Sequence, residues 1–262
     1  MQVVLKTPED ILVMREAGRI VAIAHAAMRE AIRPGISTWE LDQIAEAIIR
    51  DHGAVPAFLG YPKQNAPDFP ATITASINEE LVHGIPSKSR VLHEGDIISL
   101  DVGCHYKGFV GDAARTWTVG EVAPAVQRLV DVAYETLTRA IEAAVPGNRV
   151  SDIARATEMH ARKHGYSVAR EYTGHGVGRK MHEPPSVPNW WPRKRNRRID
   201  AADVELRPGM TLAIEPMLIA GKADLVELGD GWTVVTRDRS LCAHCEHSVA
   251  ITEGKPVILT VP

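Results

Sequence analysis

The sequence predicts a mixed α/β (α+β) fold built twice over, each half a pair of helices followed by strands, with one chemical site between them. Three observations carry this. Pro34, Gly35, His52 and Gly53 recur as Pro146, Gly147, His164 and Gly165 at a constant offset of 112 residues. Carboxylates interrupt strands otherwise apolar enough for a core, among them Asp101 in IISLDVG and Glu215 in LAIEPML. The stretch GHGVGRKMHEPP, Gly174 to Pro185, sets two histidines on a backbone that glycines weaken as helix and prolines end.

The elements follow in order. Thr7 reads as an N-cap with Pro8 at the first helical position, opening a helix to about residue 31 that Pro34-Gly35 breaks. Ser37 with Glu40 makes a capping box, and the next helix runs to His52 before Gly53 stops it. Strands ATITASI (71–77) and IISLDVGCHY (97–106) come next, and Lys107-Gly108 turns the chain into FVGDAARTWTV (109–119). The pattern then restarts. Residues 124–145 read as helix, Pro146-Gly147 breaks it, and a second helix ends at His164-Gly165. Leu41 with Ile153, Glu40 with Asp152 and Arg50 with Arg162 keep the 112-residue register. Strands TLAIEPML (211–218), GWTVVTR (231–237) and LCAHCEHSVAIT (241–252) complete the second half. The expected organisation is one domain over 1–262, with half-repeats of approximately 8–120 and 124–260.

Composition excludes several classes. With 262 residues the chain can bury roughly 70–75% of its unfolded surface. A net charge of −3 argues against a molecule that binds nucleic acid by overall charge. MQVVLKTPED has no apolar signal region, and no run approaches membrane-spanning length. Cys104, Cys242 and Cys245 are too few for a disulfide framework, and one CxxC without a second pair is a weak zinc signal. A cytoplasmic monomer is expected.

Asp101, Asp112, Glu215 and Glu246 each stand in an apolar strand, where an unpaired charge costs several kcal/mol or more. Four together repel unless something positive sits among them. With His175 they make an oxygen-rich donor set suited to two divalent ions, Mn, Fe or Co, with Zn possible. Two such ions hold a hydroxide for hydrolysis. His182 sits beside two prolines and need not be a ligand; a second imidazole there could steady a carbonyl or oxyanion. His83, beside Gly84 and Pro86, falls at a strand end or turn. His25, His52, His93, His105, His160 and His164 read as structural or solvated.

The motifs Glu80-Leu81-Val82-His83-Gly84-Ile85-Pro86, Leu100-Asp101-Val102-Gly103, Gly111-Asp112, Gly174-His175-Gly176-Val177-Gly178, His182-Glu183-Pro184, Ile214-Glu215-Pro216 and Glu246-His247 occur in this order. Together they resemble the type I methionine aminopeptidases, in the bacterial form without an N-terminal extension. The resemblance implies the pita-bread fold, a pseudo-two-fold α/β domain with a curved antiparallel sheet and a central dimetal site. It implies removal of the initiator methionine from nascent chains when the second residue is small, by attack of a metal-bound hydroxide. Asp112 and Glu246 would bridge the ions, Asp101 would chelate one, and His175 and Glu215 would bind the other. Glu215 would also take the proton of the attacking water, with His83 and His182 contacting the scissile peptide. Trp232 would line the methionine pocket, with Phe58, Tyr61 and Met181 nearby. Such walls suit a thioether.

The chain departs from the family pattern in three places. The link QNAPDFPA (64–71) is longer than usual. Thr74 stands where the family often has cysteine, which makes the pocket slightly more polar and removes its thiol. The segment NWWPRKRNRRIDAAD (189–203) packs five basic residues into 193–198 beside Trp190 and Trp191. A solvated loop is one reading; contact with ribosomal RNA is the other. Three rivals stand beside the aminopeptidase reading. A Xaa-Pro aminopeptidase or prolidase generally carries an additional N-terminal domain. A non-catalytic paralogue or a metal-free, creatinase-like hydrolase would lack metal ligands that are all present here.

Overall fold

Both helices of the first half start where side chains replace missing backbone partners. Thr7 Oγ1 accepts from the Asp10 amide at 3.2 Å while Asp10 accepts from the Thr7 amide at 3.1 Å. Ser37 and Glu40 make the same reciprocal pair. The structure, a computed structural model, describes residues 3–192 and 202–262. The basic cluster 193–198 lies outside the described residues.

In chain order come α1 (Pro8–Ala31), α2 (Thr38–Asp51), β1 (Val55–Pro56), β2 (Ile73–Ile77), β3 (Glu80–Val82), β4 (Ile97–Tyr106) and β5 (Phe109–Thr118). Next are α3 (Pro124–Glu142), α4 (Val150–Lys163), β6 (Ser167–Val168), β7 (Thr173–Gly176), β8 (Glu183–Pro188), β9 (Thr211–Ile214) and β10 (Met217–Ile219). The last are β11 (Leu225–Glu227), β12 (Val234–Thr236), β13 (Cys242–His244), β14 (His247–Ala250) and β15 (Val257–Ile258). Two helices then strands therefore occur twice, and every strand pairing is antiparallel.

The expected strands 71–77 and 231–237 shorten to 73–77 and 234–236, and three larger differences from the sequence reading follow. The third helix stops at Glu142 rather than 145, because a residue preceding proline, here Val145 before Pro146, is disfavoured in helical conformation. The expected strand 211–218 splits into β9 and β10 at Glu215-Pro216, where proline offers no amide to a ladder. The expected strand 241–252 splits likewise into β13 and β14 at Cys245-Glu246. The two breaks coincide. Ile214 pairs with His247 on one side and Met217 with His244 on the other, so Glu215-Pro216 lies opposite Cys245-Glu246.

One apolar cluster fills the space between α1, α2 and the β2–β4–β5 sheet, around Ile20, Leu41, Ile73 and Leu100. A second lies under α3 and α4, around Leu129, Ile153, Leu212 and Val249. Trp191 is buried in it and Trp190 packs against it beneath the Arg170 guanidinium. These tryptophans are core and cover, not the exposed stacking platforms that an aromatic RNA surface requires. β5 stitches the two regions together. The Glu246 amide donates to Ala114 O at 2.9 Å, Thr116 Oγ1 to His244 O at 2.7 Å, and Ser248 Oγ to Asp112 O at 2.8 Å. Among the described residues no helix is long and apolar enough to cross a membrane.

The chain ahead of α1 is held too. The Lys6 amide donates to Gly209 O, and Lys6 Nζ meets Glu183 Oε2 at 2.6 Å with both side chains nearly buried.

Close backbone contact between α1 and β5 sets where Asp112 stands. A Cβ on Gly111 would lie 2.5 Å from the carbonyl carbon of Ala17 and 2.7 Å from the Gly18 amide nitrogen, backbone atoms that can move only with the helix. Gly111→Ala is expected to lower stability by about 1–3 kcal/mol through overpacking. Differential scanning calorimetry should show a melting temperature lower by roughly 2–4 °C per kcal/mol. An unchanged melting temperature would mean that the helix is not held this close.

Candidate active site

The β4–β5 hairpin supplies the first two carboxylates. Asp101 sits opposite Ala114 and Gly103 opposite Asp112, so both aspartates project from one face on a diagonal. Thr74 pairs with Asp101 from the neighbouring strand and shares that face. The second half supplies the rest. His175 lies in β7, which pairs with β9 at Ala213, and Glu215 and Glu246 face each other across the double strand break. Directly opposed residues of an antiparallel pair share a face, so the common register of the two strands presents both carboxylates together.

The result is a tight, buried group. His175 Nε2 is 3.7 Å from Asp112 Oδ2 and 3.6 Å from Glu215 Oε1. Single donor atoms of Asp112, His175 and Glu246 all lie within 4.8 Å of one another. Burial drives the carboxyls up. Asp112 reaches about 7 through desolvation, and Asp101 rises well above the carboxylate range through desolvation and then the charge of Asp112. Glu215 and Glu246 rise for the same reasons, and Arg115 opposes the shift only at Glu246. Burial and then His182 push His175 down to about 3, so at neutral pH it is an uncharged imidazole with a lone pair to offer.

These residues fit divalent cations. Asp101 Oδ1, Asp112 Oδ1 and Glu246 Oε1 are buried with no hydrogen-bond partner among the described residues. Buried acceptors are rarely left so, and each is costly without a partner. The gaps of 3.6 and 3.7 Å are too long for hydrogen bonds. They suit donors about 2.0–2.2 Å from a shared ion, which must themselves lie roughly 3–4 Å apart.

The group opens into a cavity of about 190 Å³. Every residue assigned to the site from sequence borders it: Asp101, Asp112, His175, Glu215 and Glu246 at one end, His83 and His182 beside them, and Phe58, Tyr61, Thr74, Met181 and Trp232 on the walls. His83 follows β3 directly, at a strand end, and holds φ +61°, a left-handed conformation that costs a non-glycine residue about 1–3 kcal/mol. Its ring stands edge-on to both Tyr172 and Trp232. The rings of His175 and His182 converge with centroids 4.3 Å apart, as the bent glycine-rich segment between β7 and β8 allows.

Six lining residues escaped the sequence reading, Val82, Thr173 and Met217 as plain wall, and three that touch the site's own side chains. His244, in β13, puts Nε2 3.5 Å from Glu215 Oε2. It stands two residues before Glu246, so strand alternation alone places both on one face. Tyr172, which backs His83, precedes the glycine-rich motif and carries no spacing signal. Phe69 comes from the 64–71 link, packs edge-on to Trp232 with centroids 5.1 Å apart, and is buried. Trp232 Nε1 donates to Pro67 O at 2.8 Å in the same link, so the link forms part of the cavity wall.

Comparison with known proteins agrees with this geometry. Residues 13–253 match metallopeptidase family M24. Methionine aminopeptidase 1 of Bacillus subtilis is 47% identical over 258 residues, 98% of this chain and 99% of that one. The crystal structure of methionine aminopeptidase from Thermotoga maritima superposes with a TM-score of 0.92 at 42% identity, covering 100% of both chains. Prolidase from Pyrococcus furiosus shares the fold alone, with a TM-score of 0.76 at 24% identity over 98% of this chain and 65% of its own.

Because burial holds Asp112 protonated until about pH 7, a cation must displace protons to enter. The sign follows: affinity falls as pH drops through that value, by up to tenfold per unit for each proton released. Calorimetric titration of Mn²⁺ into metal-stripped protein, in buffers of differing ionisation enthalpy, should show more protons released at pH 6 than at pH 8. Equal release at both would contradict the shifts described.

Proposed function

The chain belongs to metallopeptidase family M24, among its methionine aminopeptidases, and on that premise we propose that it removes the N-terminal methionine of nascent proteins when the second residue is small. The observation that carries this reading is the buried set of unpartnered carboxylate donors at the end of an apolar, aromatic cavity. At about 190 Å³ the cavity is smaller than the roughly 300–1,000 Å³ of drug-sized pockets, and suits one side chain and its reacting bond.

Asp112 and Glu246 would be shared between two divalent ions, with Asp101 completing one ligand set and His175 and Glu215 the other; Mn, Co, Fe and Zn are the candidates. Bound there, divalent cations supply Lewis acidity that polarises the scissile carbonyl and acidifies a water. The rest falls to the chain's own groups. Glu215, a carboxylate once the cations are bound, takes the proton of the attacking water and delivers it toward the departing amine. Tyr61 Oη lies 2.7 Å from His182 Nδ1. Burial raises the Tyr61 phenol and lowers His182, so the neutral phenol donates and the neutral ring accepts at Nδ1. The remaining ring proton then sits on Nε2, as a donor for the carbonyl oxygen as charge develops on it. His83, held near pKa 4 by burial and then by Lys63 and His182, is likewise a neutral donor. Phe58, Tyr61, Thr74, Met181 and Trp232 would enclose the methionine side chain, whose thioether favours aromatic and apolar contact.

We place the enzyme in the cytosol, where nascent chains emerge and its three buried cysteines stay thiols. Ribosome contact through 193–198 is a further part of this reading and rests on charge, Trp191 being buried in the core and Trp190 packed against it.

Metal-stripped protein is expected to release methionine from Met-Ala-Ser only after Mn, Co, Fe or Zn is added, and to leave a Gly-Pro peptide intact. Failure with every metal, by protein that still binds ions at this site, would overturn the reading. Tyr61→Phe should lower kcat by about tenfold, the equivalent of a lost hydrogen bond of about 1.4 kcal/mol, while KM holds. A raised KM with kcat intact would instead make Tyr61 a wall of the pocket and nothing more.

A further inference from the structure

A second group of metal-ligating side chains stands well apart from the catalytic residues in sequence, on the outer surface of the α3–α4 pair. We propose that Glu135, His160 and His164 form a surface site for an imidazole-preferring divalent ion of the zinc class.

Local structure brings these residues together. His160 and His164 are four apart at the end of α4, on one face of the helix, with ring centroids 4.7 Å apart. Glu135 reaches them from α3: its Oε2 is 3.2 Å from His160 Nε2 and 3.9 Å from His164 Nε2. One donor atom from each of the three lies within 4.8 Å of the others. The side chains are 46%, 16% and 22% exposed, so an ion reaches them without any opening of the fold. The site also sits at the C-terminus of α4, where the unsatisfied carbonyls favour positive charge. Two imidazoles and one carboxylate, with remaining positions open to water, select a borderline ion, whereas the catalytic set has one imidazole among four carboxylates.

The cluster is not something the fold itself requires. At the 112-residue offset His164 corresponds to His52, but His160 corresponds to Ile48. His52 merely bonds its own helix, Nδ1 to Ile48 O at 2.8 Å. The second half carries a chelating pair where the first carries a cap.

Arg128 is the competitor. It donates to His164 Nδ1 at 2.8 Å and lies 3.4 Å from Glu135 Oε1. By taking the Nδ1 lone pair it leaves the ring proton on Nε2, the atom that faces Glu135. A metal ion at Nε2 therefore requires the proton to move to Nδ1 and the half-exposed Arg128 side chain to swing away.

The test is calorimetric titration of Zn²⁺ alone into metal-stripped wild type, His160→Gln, His164→Gln and Arg128→Gln. Each histidine variant should lose one zinc equivalent, or bind it at least tenfold more weakly, with metal-restored Met-Ala-Ser cleavage unchanged. Arg128→Gln should bind the same equivalent several-fold more tightly. The same number of equivalents at the same affinity in wild type and both histidine variants would overturn the site. No tightening in Arg128→Gln would overturn the competition.

Discussion

Four carboxylates buried within reach of one another are tolerable only with positive charge among them, and among the described residues no side-chain cation pairs with any of the four. Arg115, whose charge is felt at Glu246, turns its guanidinium on the Glu246 and Thr260 carbonyls and the His247 ring, not on a carboxylate. Burial and mutual repulsion therefore push all four carboxyls upward, and three of their oxygens face no donor. The site is a charge deficit built into the centre of the molecule, and much of the surrounding structure serves to hold it there. The backbone of β5 hydrogen-bonds to Glu246, and α1 presses against Gly111 one residue before Asp112.

That demand is met by cross-strand pairing in both parts of the chain. A regular strand offers alternate side chains to one face, so adjoining residues cannot serve one point. β4 and β5 give a diagonal pair, Asp101 and Asp112. In the second half Glu215 and Glu246 stand directly opposite one another, at the level where two neighbouring strands are interrupted. Proline after Glu215 removes the amide that would otherwise bridge that gap.

How much of this was legible in the sequence depended on whether a residue broke a local rule. Asp101 inside IISLDVG and Glu215 inside LAIEPML stood out because charge in an apolar strand demands an explanation, and the capping boxes at Thr7 and Ser37 follow from local hydrogen bonding alone. The double break was not legible, since Cys245-Glu246 has ordinary strand chemistry and only pairing with Glu215-Pro216 interrupts it. His244 was overlooked although it stands two residues before Glu246, on the same face of a strand. Beside five basic residues Trp190 and Trp191 fit either a solvated loop or an RNA contact, and sequence alone could not show that long-range packing under α4 buries Trp191 and partly buries Trp190. His160 and His164 read as solvated because spacing along one helix cannot reveal Glu135 arriving from another.

Lys6 and Glu183 carry a last consequence. Their side chains are only 4% and 10% exposed, and Glu183 follows His182 directly. The segment ahead of the first helix is thus a counterweight to the loop bearing His182, since removing one partner of a buried ion pair strands the other at a cost of about 3–5 kcal/mol. Loss of Lys6 would therefore loosen the loop that carries His182 along the wall of the catalytic cavity.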